Sequence, residues 1–135
     1  MSFIVRYQKF IDAVRTVEIS LPVNQQGQRI GQEIATIDGF TYVSLPNGAT
    51  LPAQPTEISV QSVTMTPALA SQIASASPQV KVINERVVAM IREQYSMDEE
   101  IKLLRTAPSE EFEVYNEYVE SCRAWGRAQK SELGL

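Results

Sequence analysis

The chain has 135 residues, 44% of them hydrophobic, with twelve basic and sixteen acidic side chains, a formal charge of −4, one cysteine and no histidine. That length suits one ordinary domain or two small dependent ones, able to fold without staples. Cys122 has no partner for an intramolecular disulfide, the missing histidine removes Ser-His and Cys-His catalysis and zinc sites built on Cys and His, and no stripe of Lys and Arg is present to neutralise a run of phosphates.

Composition changes near Thr64–Pro67. Residues 1–64 hold four basic and five acidic groups among β-branched residues, Pro and Gly, and residues 65–135 hold eight and eleven. In the first part, Phe3-Ile4-Val5-Arg6-Tyr7 and Ala13-Val14-Arg15-Thr16-Val17-Glu18-Ile19 place bulky or branched residues on a two-residue period, which predicts two half-buried strands, the second ended by Pro22. Asn24-Gln25-Gln26-Gly27 reads as a polar turn. Ile34, Thr36 and Phe40-Thr41-Tyr42-Val43, punctuated by Asp38-Gly39, predict a hairpin. Leu45-Pro46-Asn47-Gly48 is a further turn, and Pro52 and Pro55 are expected to hold the following connector extended along a surface.

Helix signals dominate the second part. Thr66-Pro67 and Ser77-Pro78 each set a capping hydroxyl before a proline at the first helical position, where its missing N–H would have no partner in any case. From Pro78, Val80, Ile83, Val87, Ile91 and Tyr95 keep to one face. Ser96-Met97-Asp98-Glu99 fits a capping box opening a short helix that ends near Arg105, with Met97, Ile101 and Leu104 as its apolar stripe. Pro108-Ser109 opens the last helix, acidic at its start and basic in its later turns, with Gly134 as its stop. Phe112, Tyr115, Val119, Cys122 and Gly126 form one stripe on it, and Val114, Tyr118 and Trp125 an adjacent one. Both are expected to pack on the two preceding helices; in the alternative, Tyr118 and Trp125 meet another chain, as interface aromatics do. The fold class expected is α+β: a small antiparallel β segment with a Pro-rich connector over 1–64, then a three- to four-helix α-helical bundle over 65–135.

Carboxylates are the remaining candidates for chemistry. Asp98, Glu99 and Glu100, or Glu110, Glu111 and Glu113, could imitate an acid/base pair or a hard-metal site, but each cluster sits at a helix start where its charge already has a structural purpose. No catalytic residue, cofactor or metal is expected. The apolar runs are too short to cross a bilayer and the N-terminus lacks the pattern of a signal peptide, so the expectation is a soluble, unprocessed chain made in a reducing cytoplasm, with no membrane and no direct nucleic-acid partner.

Three segments carry a resemblance: Ser77-Pro78-Gln79-Val80-Lys81-Val82-Ile83-Asn84-Glu85-Arg86-Val87, Tyr95-Ser96-Met97-Asp98-Glu99-Glu100-Ile101-Lys102-Leu103-Leu104-Arg105, and Phe112-Glu113-Val114-Tyr115-Asn116-Glu117-Tyr118-Val119-Glu120. Together they resemble the C-terminal part of small tail-module proteins of phages and prophages, in which a "Tyr-Ser, acidic, Leu-Leu-Arg" helix precedes a "Tyr-x-x-Tyr-Val-Glu" helix. Leu45-Pro46-Asn47-Gly48-Ala49-Thr50-Leu51-Pro52 with Gln54-Pro55 is similar to phage proteins associated with tail fibres or the baseplate. The resemblance spans about half the chain and carries over no catalytic or ligand residue. It implies a virion or virion-assembly protein; with the missing chemistry and the Pro-rich connector, the leading expectation is a structural, non-enzymatic component of the virion tail, at the baseplate or fibre attachment region, whose partners are other tail or fibre proteins, with a homo-oligomer as a further option. A tail-fibre assembly chaperone is the first alternative, and a small carboxylate-dependent hydrolase the second. The contact residues expected are Phe3, Ile4, Val5 and Tyr7, on a strand at the chain start read as a sheet edge, with an internal strand as the alternative, and Tyr118 and Trp125 on the last helix.

Overall fold

A computed structural model describes residues 2–135, in which Asp38 and Gly39 both have positive φ (51° and 82°). Two such residues make the hairpin turn whose twist matches that of the flanking strands. They join β2 (Gln32–Ile37) to β3 (Phe40–Pro46), and with β1 (Ser2–Tyr7) and the two-residue β4 (Gln61–Ser62) they form an antiparallel sheet in the order β2-β3-β1-β4. Four helices follow: α1 (Pro67–Ala76), α2 (Pro78–Gln94), α3 (Met97–Arg105) and α4 (Glu110–Glu132). The fold is α+β.

The helix starts follow the capping chemistry of the sequence. Thr66 Oγ1 accepts from the Leu69 amide at 3.2 Å, Ser77 Oγ from Val80 at 3.4 Å and Ser109 Oγ from Phe112 at 3.0 Å. At α3 both halves of the capping box are made, Ser96 Oγ accepting from the Glu99 amide and Glu99 Oε1 from the Ser96 amide.

Contacts divide the chain into two compact units: residues up to Val80 together with Ser131–Leu135, and Lys81–Lys130. The expected division at 64/65 falls elsewhere, because α1 packs against β2 and so joins the sheet's unit. In that unit Val5, Tyr7, Val43 and Leu45 lie on one face of the sheet, covered by Val17, Ile19 and Leu21 of the loop before β2 and by Leu51, Ile58 and Val60 of the Pro-rich connector. Gly134, at φ 90°, lies against Ser2 and Ile4, beside a buried Leu133. With cover on both sides, β3 is buried continuously from Thr41 to Leu45. The β part therefore builds its core from its own loop and connector.

Two sequence expectations are corrected here. The run 13–19 is not a strand: Asp12 Oδ1 accepts from the Val14 and Arg15 amides, both at 2.9 Å, and this local turn competes with extended pairing, leaving an isolated bridge between Phe10 and Thr16. β1 is not an edge but lies between β3 and β4, paired with β3 along its length and with β4 at Val5 and Arg6. The true edges are blunted, β4 by its length and β2 by a bulge between Glu33 and Ala35 and by Gln79, whose side-chain amide donates to the Glu33 carbonyl at 2.8 Å.

Glu33, beside that bulge, gathers a polar network. The fully buried Tyr7 donates its hydroxyl to Glu33 Oε1 at 2.6 Å, and Lys9 Nζ lies 2.9 Å from Glu33 Oε2. Burial first, then the Glu33 carboxylate, push the Tyr7 phenol well above its ordinary range. A raised folded-state pKa gives stability that is complete below the unfolded value of about 10 and is lost as pH climbs beyond it, because the unfolded chain then releases a proton the folded chain retains. Tyr7→Phe is expected to cost about 1.5–3 kcal/mol at neutral pH, the range for a hydrogen bond to a charged group. The variant is also expected to show a shallower loss of stability above pH 10 than the parent in urea unfolding; identical slopes would separate Tyr7 from the alkaline transition.

Candidate interaction surfaces

In the sheet's unit the loop between β1 and β2 carries a short projection over residues 9–17. Its base is closed by Val17 N–H donating to the Lys9 carbonyl at 2.9 Å and its neck by Ile11 N–H donating to the Arg15 carbonyl at 3.1 Å. Asp12 braces the tip, with Arg15 Nε donating to its Oδ2 at 2.8 Å in addition to the two amides. The Val14 amide first, and then Arg15, hold the Asp12 carboxyl below its usual range. The same brace turns Phe10, Ile11 and Val14 outward, Phe10 at 53% and Val14 at 89% exposure. Apolar side chains held on a fixed turn are a contact surface already ordered, so binding through them does not carry the full entropic cost of arranging a loop.

The helical unit is built on tyrosines. Tyr95 meets Tyr115 edge-to-face at 4.9 Å between ring centroids and Tyr118 at 5.9 Å, while the Tyr118 hydroxyl donates to the Met90 carbonyl at 2.6 Å. Ile91, Tyr115, Val119 and Cys122 are buried around this junction, with Leu103 of α3 packed against it. The tyrosines and valine of the resemblance to tail-module proteins are thus the packing residues that join α2 to α4. These helices approach closely at Gly126, where an added Cβ would lie 2.7 Å from Val87 Cγ2. Gly126→Ala is expected to be net destabilising, since overpacking of about 1–3 kcal/mol exceeds the roughly 1 kcal/mol that alanine gains over glycine in a helix. In a Val87→Ala background the same change is expected to stabilise by about 1 kcal/mol, a coupling that a thermal-unfolding double-mutant cycle reads directly.

The helix α3 turns its apolar stripe the other way. Only Leu103 packs inward, leaving Met97, Ile101 and Leu104 at 65, 48 and 59% exposure. The apolar stripe read from the sequence lies on the surface. Between α3 and the start of α4 lies an open cleft of about 860 Å³, lined by Tyr95, Lys102, Leu103 and Val114 together with Glu99, Glu110 and Glu111. Its polar groups serve the helix ends: Glu99 accepts from the Ser96 amide, Ser109 caps α4, and the Thr106 hydroxyl donates to the Lys102 carbonyl at 3.2 Å. Among the described residues no group of three His, Cys, Asp or Glu side chains is placed to hold a metal ion, and no helix is long and apolar enough to cross a membrane.

Of the contact residues expected from sequence, Ile4, Val5 and Tyr7 are buried in the interior strand β1, and only Phe3 reaches the surface. They belong to the core of the sheet's unit. Tyr118 is half-buried with its hydroxyl already bonded, and Trp125 is half-buried. Phe10, Ile11 and Val14 were missed; the available signal was Asp12, a turn-forming residue between apolar pairs. Compared with family models, with curated proteins and with solved structures, the chain matches none.

Proposed function

We propose that this chain is a structural component of a bacteriophage tail, in the baseplate or fibre attachment region, and that it works by contact with neighbouring tail proteins, without turnover. The observation that carries the contact part is the braced tip of Phe10, Ile11 and Val14, three apolar side chains held outward by Asp12. The exposed stripe on α3 gives the helical unit a surface of the same kind. Placement in a tail rests on the segments resembling tail-module proteins, whose tyrosines form the α2–α4 junction.

Quantitative mass spectrometry on gradient-purified particles tests this reading. Copies retained at a stoichiometry fixed relative to known tail subunits are the expected result. Copies found with immature fibres but missing from finished particles would identify an assembly chaperone instead, and absence from both would end the tail assignment.

A further inference from the structure

We infer that α3 is the surface through which two copies of this chain pair, antiparallel, about a two-fold axis beside Ile101. This goes beyond the tail assignment and stands whether or not the chain resides in a particle.

At about 100° per residue, Met97, Ile101 and Leu104 fall within a sector of about 60°, turned away from the inward-facing Leu103. Asp98 and Arg105 border one side of that stripe, two turns apart, with Lys102 further round the helix. The opposite border is Glu100, already held by Arg92 at 2.5 Å. None of Asp98, Lys102 and Arg105 enters an ion pair among the described residues. The open border is thus acidic at the helix start and basic at its end.

A two-fold axis keeps this border on the same side of the pair while reversing its direction. Asp98 of each copy then lies opposite Arg105 of the other, Ile101 faces its own counterpart, and Met97 meets Leu104. The reversed helix dipoles favour the same arrangement. A shallow hollow of about 420 Å³ along this border, lined by Asp98, Ile101, Lys102 and Arg105, offers a seat for an apolar side chain of the second copy. One chain thus carries both halves of the charge complement, which makes a second copy the occupant this face fits.

Nine residues of helix give a contact only about 13 Å long, so the pair is expected to be weak, with a dissociation constant on the order of 100 μM. Sedimentation velocity on the full chain, from about 10 μM to about 1 mM, is expected to pass from monomer to dimer. Asp98→Arg and Arg105→Asp are each expected to weaken the dimer at least tenfold by setting like charges opposite one another, and an equimolar mixture of the two variants to recover it as a heterodimer. Ile101→Asp, with unchanged circular dichroism because the side chain is exposed in the monomer, is expected to abolish pairing. A chain that stays monomeric to the highest concentration, or a dimer that survives Ile101→Asp and both charge reversals, overturns the inference.

Discussion

Gly31→Ala is expected to destabilise the protein by about 2–5 kcal/mol, the largest effect of any single methyl addition to this chain. Gly31 has φ 90°, a conformation that costs an L-residue roughly 1–2 kcal/mol. Its added Cβ would also lie 2.9 Å from the Ser44 carbonyl oxygen and 2.7 Å from Leu45 Cδ2. Ser44 is held in β3 by pairing with Ile4 and Gln32, and Leu45 is fully buried, so neither neighbour can yield cheaply. Gly39 is the internal control: it too has positive φ, but nothing lies within 4 Å of its added Cβ, so Gly39→Ala is expected to show the conformational cost alone. Thermal unfolding of the two variants separates the terms. A Gly31→Ala midpoint within a degree or two of Gly39→Ala would contradict the packing around β3 described above.

The second large effect concerns binding. Replacing Phe10, Ile11 and Val14 together by serine is expected to lower affinity for the protein's structural neighbours on the order of a hundredfold, since the three lose about 2–4 kcal/mol of apolar burial at a contact. Stability is expected to fall by no more than about 1 kcal/mol, because these side chains are exposed in the isolated chain. The readout is recovery of the variant in assembled particles beside the parent, with circular dichroism confirming the fold. Normal incorporation of the triple variant would remove the projection from the account. Asp12→Ala, which leaves the apolar side chains in place but removes the brace, is expected to fall between the two.

Local rules carried the sequence reading as far as local chemistry reaches. Thr66, Ser77, Ser96 and Ser109 marked four helix starts, and Asp38-Gly39 marked the hairpin, because a cap or a tight turn is decided by residues within four positions of each other. The position of β1 was not legible, since it depends on pairing Val5 and Arg6 with Ser62 and Gln61 far along the chain, across a connector whose geometry no periodicity encodes. The 13–19 run has true two-residue alternation and still fails as a strand, because Asp12 supplies the amides with a nearer acceptor. On α3 the spacing of Met97, Ile101 and Leu104 located an apolar face correctly, yet periodicity cannot say whether a face is covered, and here Leu103 is the residue that turns inward. The exposed apolar faces were hidden for the same reason: their residues look like core until the rest of the chain is seen to pack without them.

A cryo-EM map of the intact tail tests the central claim most directly. The account predicts density for this chain in the baseplate or fibre attachment region, with Phe10, Ile11 and Val14 buried against a neighbouring subunit. A chain located in the particle with that projection in open solvent, or a particle without it, would contradict the account.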